Sequence, residues 1–306
     1  MHALLIALLM VAANPAPQRL IPVAPAETLS VMIQGAGPTV AIVPGLLGGS
    51  FGFRHVAAAL AKAGCTVVII DPLGTGDSSR PDDADYSFTA QAARVAAALD
   101  TLGEQGTVLV VHAAGAAIGY RLALTRPDLV ASLVSINGGP AEHLETPGVA
   151  AALSFAPVLK LFGADGKARG KLVDGLREAS HDPAWVTEDV IDAYGADYRE
   201  DLWGTLRMFQ RMSRAKEPWP LQPALGDITA PVLLLRSAEQ PQSIPDAHVA
   251  VLEESLQRLT IEHITGAGQY IHEERPEAVV AAIIGSVAEA CGEAGVGADV
   301  RSACRH

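Results

Sequence analysis

Residues 107–125 read TVLVVHAAGAAIGYRLALT and contain a strand pattern, a tight turn and a helix pattern in succession. The run TVLVV is apolar and β-branched, which is typical of a buried strand. The residues from Gly115 onward have helical periodicity. A turn between such a strand and such a helix usually carries a catalytic nucleophile. Here His112, Ala113 and Ala114 occupy the turn, and no serine is present.

The composition limits the classes of function. With 306 residues, the chain is near the upper limit for one hydrophobic core, which predicts one core domain with an inserted or appended piece. The net charge is −12 and lysine and arginine are not clustered, so neither nucleic acid nor an anionic membrane surface is an expected partner. The cysteines and histidines lack metal-site spacing, and we expect no metal and no other cofactor.

Residues 1–17 are predicted to be a signal peptide or another N-terminal apolar segment. Residues 3–13 form an apolar run of signal-peptide length that is too short to span a bilayer, so no transmembrane span is expected. No Lys or Arg precedes the run, unlike the basic start of a typical signal peptide. We predict export to the periplasm or the exterior, with an uncleaved N-terminal helix on a cytoplasmic protein as the alternative. Cys291 and Cys304 are candidates for a disulfide in an oxidising compartment.

Apolar, β-branched segments recur along the chain with helical segments between them, which predicts a mostly parallel, doubly wound α/β sheet. An antiparallel strand and turn are predicted before them at 29–37. The predicted parallel strands are 39–45, 66–72, 107–113, 131–137 and 231–237. The predicted helices are 52–63, 89–103, 115–125, 245–256 and 276–290.

The strand spacing breaks between Asn137 and Pro231, where helical periodicity and scattered large apolar residues replace the strand pattern. We predict a helical insertion that acts as a lid over the carboxyl ends of the strands, where ligands of open α/β sheets bind. Most of its large side chains should form its own core, and a few should face the cavity. The predicted boundaries are 18–138 and 228–290 for the core, 139–227 for the lid, and 291–306 for a tail.

Four motifs resemble those of the α/β-hydrolase fold family, in the lid-bearing group of esterases, epoxide hydrolases and haloalkane dehalogenases. The resemblance covers about residues 18–290 and implies an α/β-hydrolase fold with about eight strands and an inserted lid. The motifs are VPGLLGGSFGFR at 43–54 for the family's HGxxG, DPLGTGDSSRP at 71–81 for DxxGxGxS, VVHAAGAA at 110–117 for GHSxGG, and GAGQYIHEERPE at 266–277 for GxGHxxxxExP.

The resemblance implies a nucleophile, a histidine and an acid, and this sequence has a substitution at each of those positions. Ala113 stands at the nucleophile position, and the absence of Ser and Cys between Thr89 and Pro127 rules out a shifted alignment. Gln269 stands at the histidine position and Gln240 at the acid position. Glutamine cannot accept a proton near neutral pH.

The backbone amides of Leu46 and Ala114 correspond to the oxyanion hole of the family. The positions of backbone donors depend only on the conformation of the loop, so an oxyanion hole can persist in a chain without the triad. The alternative is that this loop is simply a tight connection. Val111 replaces the glycine two residues before the nucleophile position, and we interpret this as release of backbone strain at the turn.

Three polar residues are candidates for the pocket. His112 is the usual residue before the nucleophile in this family, and we interpret it as structural. His272 is expected to be a solvated residue at the start of a helix, with a substitute base as the alternative. Glu239 is adjacent to the acid position but is expected to point elsewhere.

Three functions remain open. The favoured one is a non-hydrolytic member of the fold that binds a lipophilic small molecule under the lid, or a protein partner, because three separately anchored positions lack their catalytic group. The second is an enzyme with lyase-like or isomerase-like chemistry. The third is a hydrolase of an ester-type small molecule with catalytic groups from elsewhere in the chain. The sequence does not specify an oligomeric state.

Overall fold

The computed structural model describes residues 18–144, 165–239 and 244–292. Their eight strands form one sheet in the order β1-β2-β4-β3-β5-β6-β7-β8. The strands are β1 Gln18–Ala24, β2 Glu27–Gly35, β3 Thr39–Val43, β4 Thr66–Ile70, β5 Thr107–His112, β6 Val130–Ile136, β7 Val232–Ser237 and β8 Leu259–Ile264. The pairs β1–β2 and β2–β4 are antiparallel and all later pairs are parallel, which confirms the predicted fold class.

Helices cover both faces of this sheet. They are α1 Gly49–Gly52, α2 Arg54–Lys62, α3 Phe88–Leu102, α4 Gly115–Thr125, α5 Asp165–Glu178, α6 Glu188–Tyr194, α7 Ala196–Arg214, α8 Asp246–Ser255, α9 Ile271–Glu274 and α10 Pro276–Ala290, with single 3₁₀ segments at Pro183–Trp185 and Gln222–Asp227. The five helices and five parallel strands predicted from the periodicity are all confirmed, with bounds that differ by a few residues at most. Within the described part of the chain, no helix is both long and apolar enough to cross a membrane.

The central strand β5 shows why the parallel strands appear in the sequence as nearly continuous apolar runs. All six of its residues are buried. Val108 and Val110 pack into the apolar layer on one face of the sheet, and Leu109 and Val111 pack into the layer on the other. A strand covered on both faces needs apolar residues at every position, and each fully buried side chain of this size stabilises the fold by about 1.5–3 kcal/mol.

Between β6 and β7 the described residues form helices and no strand. Their own apolar cluster is built mainly from Leu176, Val190, Ile191 and Tyr194, and it also includes Tyr270 from the core. The part of the insertion from 145 to 164 lies outside the described residues. The predicted role of the insertion as a lid, and the domain boundaries, remain predictions.

A buried arginine joins the insertion to the core. The guanidinium of Arg121 on α4 is fully buried, lies 2.8 Å from a Glu142 oxygen and 3.3 Å from a Glu217 oxygen, and stacks over the Trp219 ring at 4.6 Å. Glu217 also accepts hydrogen bonds from the Phe88 and Thr89 amides at the start of α3. The insertion is therefore anchored by charge as well as by apolar packing.

Candidate active site

The turn after β5 keeps the strained backbone of a nucleophile elbow. Ala113 has a φ of 47°, in the left-handed region that non-glycine residues rarely adopt. Its amide donates to the Ile136 carbonyl at 3.1 Å, and its carbonyl accepts from the Ala116 amide at 3.0 Å. Holding such a backbone costs about 1–3 kcal/mol. The expectation that Val111 marks a relaxed turn is therefore wrong.

Val111 fits because α4 supplies the space. A Cβ placed on Gly119 would lie only 2.5 Å from the Val111 Cγ1 atom. A Cβ on Gly115 would lie 2.6 Å from the Pro44 carbonyl oxygen and 2.7 Å from that of Val43. Small residues on the helix thus allow the same close approach of strand and helix that a glycine at 111 would allow.

Leu46 and Ala114 lie at the same small cavity. Its volume is about 20 Å³, which is room for about one water molecule. Among the described residues, neither backbone amide donates to a carbonyl group. A Cβ on Gly45 would lie 3.6 Å from the Ala113 methyl carbon, so the loop passes within van der Waals reach of the elbow. Two uncommitted backbone donors therefore remain beside the elbow, as an oxyanion hole requires.

Gln269 lies next to the elbow and is held there by its main chain. Its carbonyl oxygen lies 3.2 Å from the His112 Nε2 atom and accepts from the Asn137 Nδ2 atom at 3.2 Å. Its amide donates to the Ala179 carbonyl at 2.8 Å, which ties this loop to the insertion. None of these contacts uses the glutamine side chain, which is half-buried. The position predicted for the histidine is thus adjacent to the elbow.

Gln240, at the predicted acid position, lies outside the described residues. The neighbouring residue Glu239 is described, and its Oε2 atom accepts from the Gly266 amide at 2.8 Å. It supports the turn that leads to Gln269.

Asn137, which directly follows β6, connects three loops. Its Nδ2 atom donates to the Gly268 carbonyl at 3.1 Å, and its Oδ1 atom accepts from the Ser237 amide at 2.9 Å. The side chain is 1% exposed and its φ is 46°. Sequence reasoning passed over Asn137 because it carries no charge, yet its amide group is what positions the loop that bears Gln269.

His272 is buried, so the expectation of a solvated residue is wrong. It is 2% exposed and its ring stacks on Phe53 with centroids 4.4 Å apart. The His112 ring meets it edge-on, also at 4.4 Å. Burial lowers the pKa of His112 to about 4 and lowers the pKa of His272 well below its ordinary value. Both rings are therefore neutral at pH 7 and pack as aromatic core.

Sequence reasoning also missed the buried residue next to His272. Glu273 accepts from the Arg54 Nη1 atom at 2.6 Å and from the Tyr194 hydroxyl at 2.8 Å. Tyr194 belongs to α6 of the insertion, so this carboxylate links the insertion to α2. The neighbouring Glu274, which the motif identified, accepts from the Gly268 and Asp182 amides at 2.8 Å each. Both carboxylates position loops.

The described residues include no group of three or more His, Cys, Asp or Glu side chains that could hold a metal ion. The elbow, the two amides and the Gln269 loop therefore make up the candidate site. Its backbone amides can donate hydrogen bonds to an acceptor oxygen.

The comparisons with known proteins support the fold. Residues 38–165 match a family model described as alpha/beta hydrolase fold. The "Putative carbamate hydrolase RutD" of Klebsiella pneumoniae (strain 342) is 39% identical over 102 residues, which is 33% of this chain and 38% of that protein. The chain thus matches well under half the length of that curated relative.

Two longer similarities extend over the insertion. The sn-1-specific diacylglycerol lipase ABHD11 of Xenopus laevis is 28% identical over 264 residues, covering 83% of this chain and 81% of that protein. A solved epoxide hydrolase from an endophytic Streptomyces superposes with a TM-score of 0.75 at 24% identity, covering 92% of this chain and 97% of the other. The latter similarity supports the fold alone.

Proposed function

We propose that this chain, which has the α/β-hydrolase fold, is a non-hydrolytic member of that fold that binds a lipophilic small molecule beneath the helical insertion. The observation that supports this most directly is Ala113 at a φ of 47°. The elbow holds the backbone of a nucleophile and presents a methyl group. A methyl group has no lone pair with which to attack a carbonyl.

The ligand class follows from the walls of the small cavity beside the elbow. The Leu46 and Ala114 amides supply hydrogen-bond donors. The aromatic ring of Tyr86 and the side chains of Ile118 and Met212 supply apolar lining, and Thr75 and Gln91 are polar residues of the same wall. Two backbone donors beside apolar groups suit a carbonyl or another acceptor oxygen carried on an apolar molecule. At about 20 Å³ the cavity has room for that oxygen alone, so the apolar part of the ligand would lie outside it, beneath the insertion. Without a nucleophile and a base, such a ligand would be bound and not turned over.

The relatives favour a second candidate function. Their names describe a carbamate hydrolase and a diacylglycerol lipase, which act on carbonyl compounds. If a group from elsewhere in the chain takes over the attack, this protein would hydrolyse an ester-type small molecule at the same place. Both functions use the same oxyanion donors, and they differ in whether a nucleophile reaches the carbonyl.

A fluorophosphonate probe separates the two functions, because it reacts with activated nucleophiles. We expect no covalent labelling by intact-mass measurement and no release of p-nitrophenol from p-nitrophenyl butyrate above the rate in buffer. Medium-chain methyl ketones should raise the melting temperature, while the matched alkanes should not. Labelling at any residue of the pocket would overturn the proposal in favour of the hydrolase. Equal effects of ketone and alkane would contradict a role for the two amides.

A further inference from the structure

A second cavity, of about 230 Å³, lies between the loop after β3 and the insertion. It shares Leu46 with the small cavity, but no residue of the elbow from 111 to 117 lines it. Tyr194 closes it against the loop, and a Cβ on Gly48 would lie 2.5 Å from the Tyr194 ring. This space therefore has walls of its own from both the core and the insertion.

Asp71, directly after β4, contributes a buried carboxyl group to this cavity. The residue is 1% exposed, and glycines crowd both of its oxygens: a Cβ on Gly49 would lie 3.1 Å from Oδ1, and one on Gly76 would lie 2.4 Å from Oδ2. The amides of Ser50 and Asp77 point towards the carboxyl group and lower its pKa. The Oδ1 atom nevertheless has no hydrogen-bond partner of normal geometry among the described residues. A buried carboxyl group with an oxygen that lacks a hydrogen-bond partner can accept a hydrogen bond from a ligand.

The charged groups around Asp71 are mostly acidic. Asp77, Asp197 and Glu200 also line the cavity. The Arg80 guanidinium binds Asp197 at 2.7 Å and the Gly76 carbonyl at 2.6 Å, which offsets one of these charges. Burial, with further contributions from Asp77 and Asp197, raises the pKa of Asp71 to about 7. The cavity therefore has an excess of negative charge that a cation would neutralise.

The remaining walls include three aromatic side chains, which suits an organic cation better than a metal ion. Phe51, Tyr194 and Phe209 line the cavity. Aromatic faces attract an ammonium group through their negative quadrupole and pack against attached carbons. Metal ions instead need several carboxylate or imidazole ligands together, and the described residues contain no such group.

We propose that this cavity binds a small organic ammonium ion, with the charged nitrogen beside the Asp71 carboxyl group and the carbons against the aromatic side chains. This proposal does not rest on the function proposed for the elbow, because residues 111–117 do not line this cavity and only Leu46 lies at both. An ammonium ion binds the ionised carboxylate, so binding displaces the proton that Asp71 holds below pH 7. The affinity should then rise about tenfold between pH 6 and pH 8.

Isothermal titration calorimetry with n-butylammonium chloride tests the proposal, with n-butanol as the neutral probe of equal length. We expect saturable binding of the ammonium ion only. The Asp71→Asn variant should weaken binding at pH 8 at least tenfold and remove its pH dependence. Asp83→Asn, which removes an exposed acid outside the cavity, should leave the affinity unchanged. Binding of butanol with equal affinity, or an unaltered affinity in Asp71→Asn, would overturn the proposal.

Two further measurements do not depend on the folding of Asp71→Asn. At pH 6.5, titration of the wild-type chain in buffers of different ionisation enthalpy should show release of more than half a proton per ammonium ion bound. Glu200→Gln changes an exposed residue at the edge of the cavity and should weaken binding a few-fold, about 2–5 times. The absence of proton release, or of any heat with the wild-type chain, would contradict the proposal.

Discussion

The Val111 side chain occupies the space that Gly119 leaves open on α4, and a Cβ at 119 would lie 2.5 Å from its Cγ1 atom. The two residues form a matched pair across the junction of β5 and α4. The elbow depends on this junction, because Ala113 is held in its left-handed conformation between the two elements.

Gly119→Ala should therefore destabilise the protein, although alanine favours a helix by about 1 kcal/mol over glycine. The clash with Val111 is expected to lower the free energy of unfolding by about 1–3 kcal/mol. The measurement is urea denaturation monitored by circular dichroism. Val111→Ala should remove the clash, so the double variant should be more stable than the sum of the single effects implies. Strict additivity would show that the two side chains do not compete for space.

The retained elbow predicts that hydrolysis can be restored. The triple variant Ala113→Ser, Gln240→Asp, Gln269→His should hydrolyse p-nitrophenyl butyrate at a rate well above that of the wild type. A complete triad is worth about 10⁶ in rate, and we expect a small part of this, about 10²–10³, because the new side chains lack tuned partners. The change at 240 falls on a residue outside the described part of the chain.

The double variant Gln240→Asp, Gln269→His is the matched control. It keeps Ala113, so it has the new histidine and acid without a nucleophile. Activity equal to that of the full variant would mean that the reaction does not pass through position 113. A folded triple variant with no gain would mean that the histidine does not reach the serine hydroxyl.

Arg121→Met should separate the insertion from the core. The substitution leaves Glu142 and Glu217 without their buried cation, and breaking a buried ion pair in this way costs about 3–5 kcal/mol. The expected result is a lower midpoint of unfolding in urea, with faster proteolysis within 165–227. Arg126→Met is the control, since Arg126 forms exposed bridges to Asp100 and Asp128 and should have a much smaller effect. Equal effects of the two substitutions would contradict the anchoring role.

Stability should depend on pH through buried groups that act in opposite directions. The pKa of His112 is about 4 in the folded chain against 6.5 ordinarily, and that of His272 is also lowered. Below pH 6.5 the unfolded chain binds protons that the folded chain does not, so stability is lost as the pH falls. The pKa of Asp71 is raised from 3.8 to about 7, so between these values the folded chain holds the extra proton, and stability is lost as the pH rises.

Variants should separate these contributions as slopes of the unfolding free energy between pH 4.5 and 6. His272→Phe, which keeps a ring against Phe53, should make the loss on acidification less steep. Asp71→Asn should make it steeper, by up to about 1.4 kcal/mol per pH unit for one proton. Chemical denaturation at several pH values measures both. Slopes that match the wild type in both variants would mean that these groups titrate normally in the folded chain.

The strands and helices that carry the site were predictable because their residues are buried on two faces or on one regular stripe. β8 was not predicted, because it lies at the sheet edge and Thr260, Glu262 and His263 are exposed. β1 at the opposite edge was missed for the same reason, since Gln18, Arg19 and Leu20 are exposed. An edge strand lacks the apolar pattern on which the prediction depended.

The positions of the site were predictable from motif spacing, whereas the burial of its polar residues was not. The motif placed Gln269 near the elbow, and the main-chain contact with His112 agrees with that placement. The burial of His272 depends on Phe53, and that of Asp71 depends in part on Gly49. Both partners belong to the motif at 43–54 and come next to these residues only on folding. The sequence led us to expect a relaxed turn at Ala113, because Val111 replaces a glycine. The turn keeps its left-handed backbone because Gly119, six residues after Ala113, leaves the space that the Val111 side chain needs.

The hydrogen bonds around Gln269 have one further consequence for how such a chain can change over evolution. The peptide backbone of residue 269 makes hydrogen-bond contacts with three groups: the His112 ring, the Asn137 side-chain amide and the Ala179 carbonyl. The loop therefore keeps its path whichever side chain stands there. None of these hydrogen bonds depends on whether histidine or glutamine stands at 269, so the chemistry of this position can change while the bonds that hold the loop are retained.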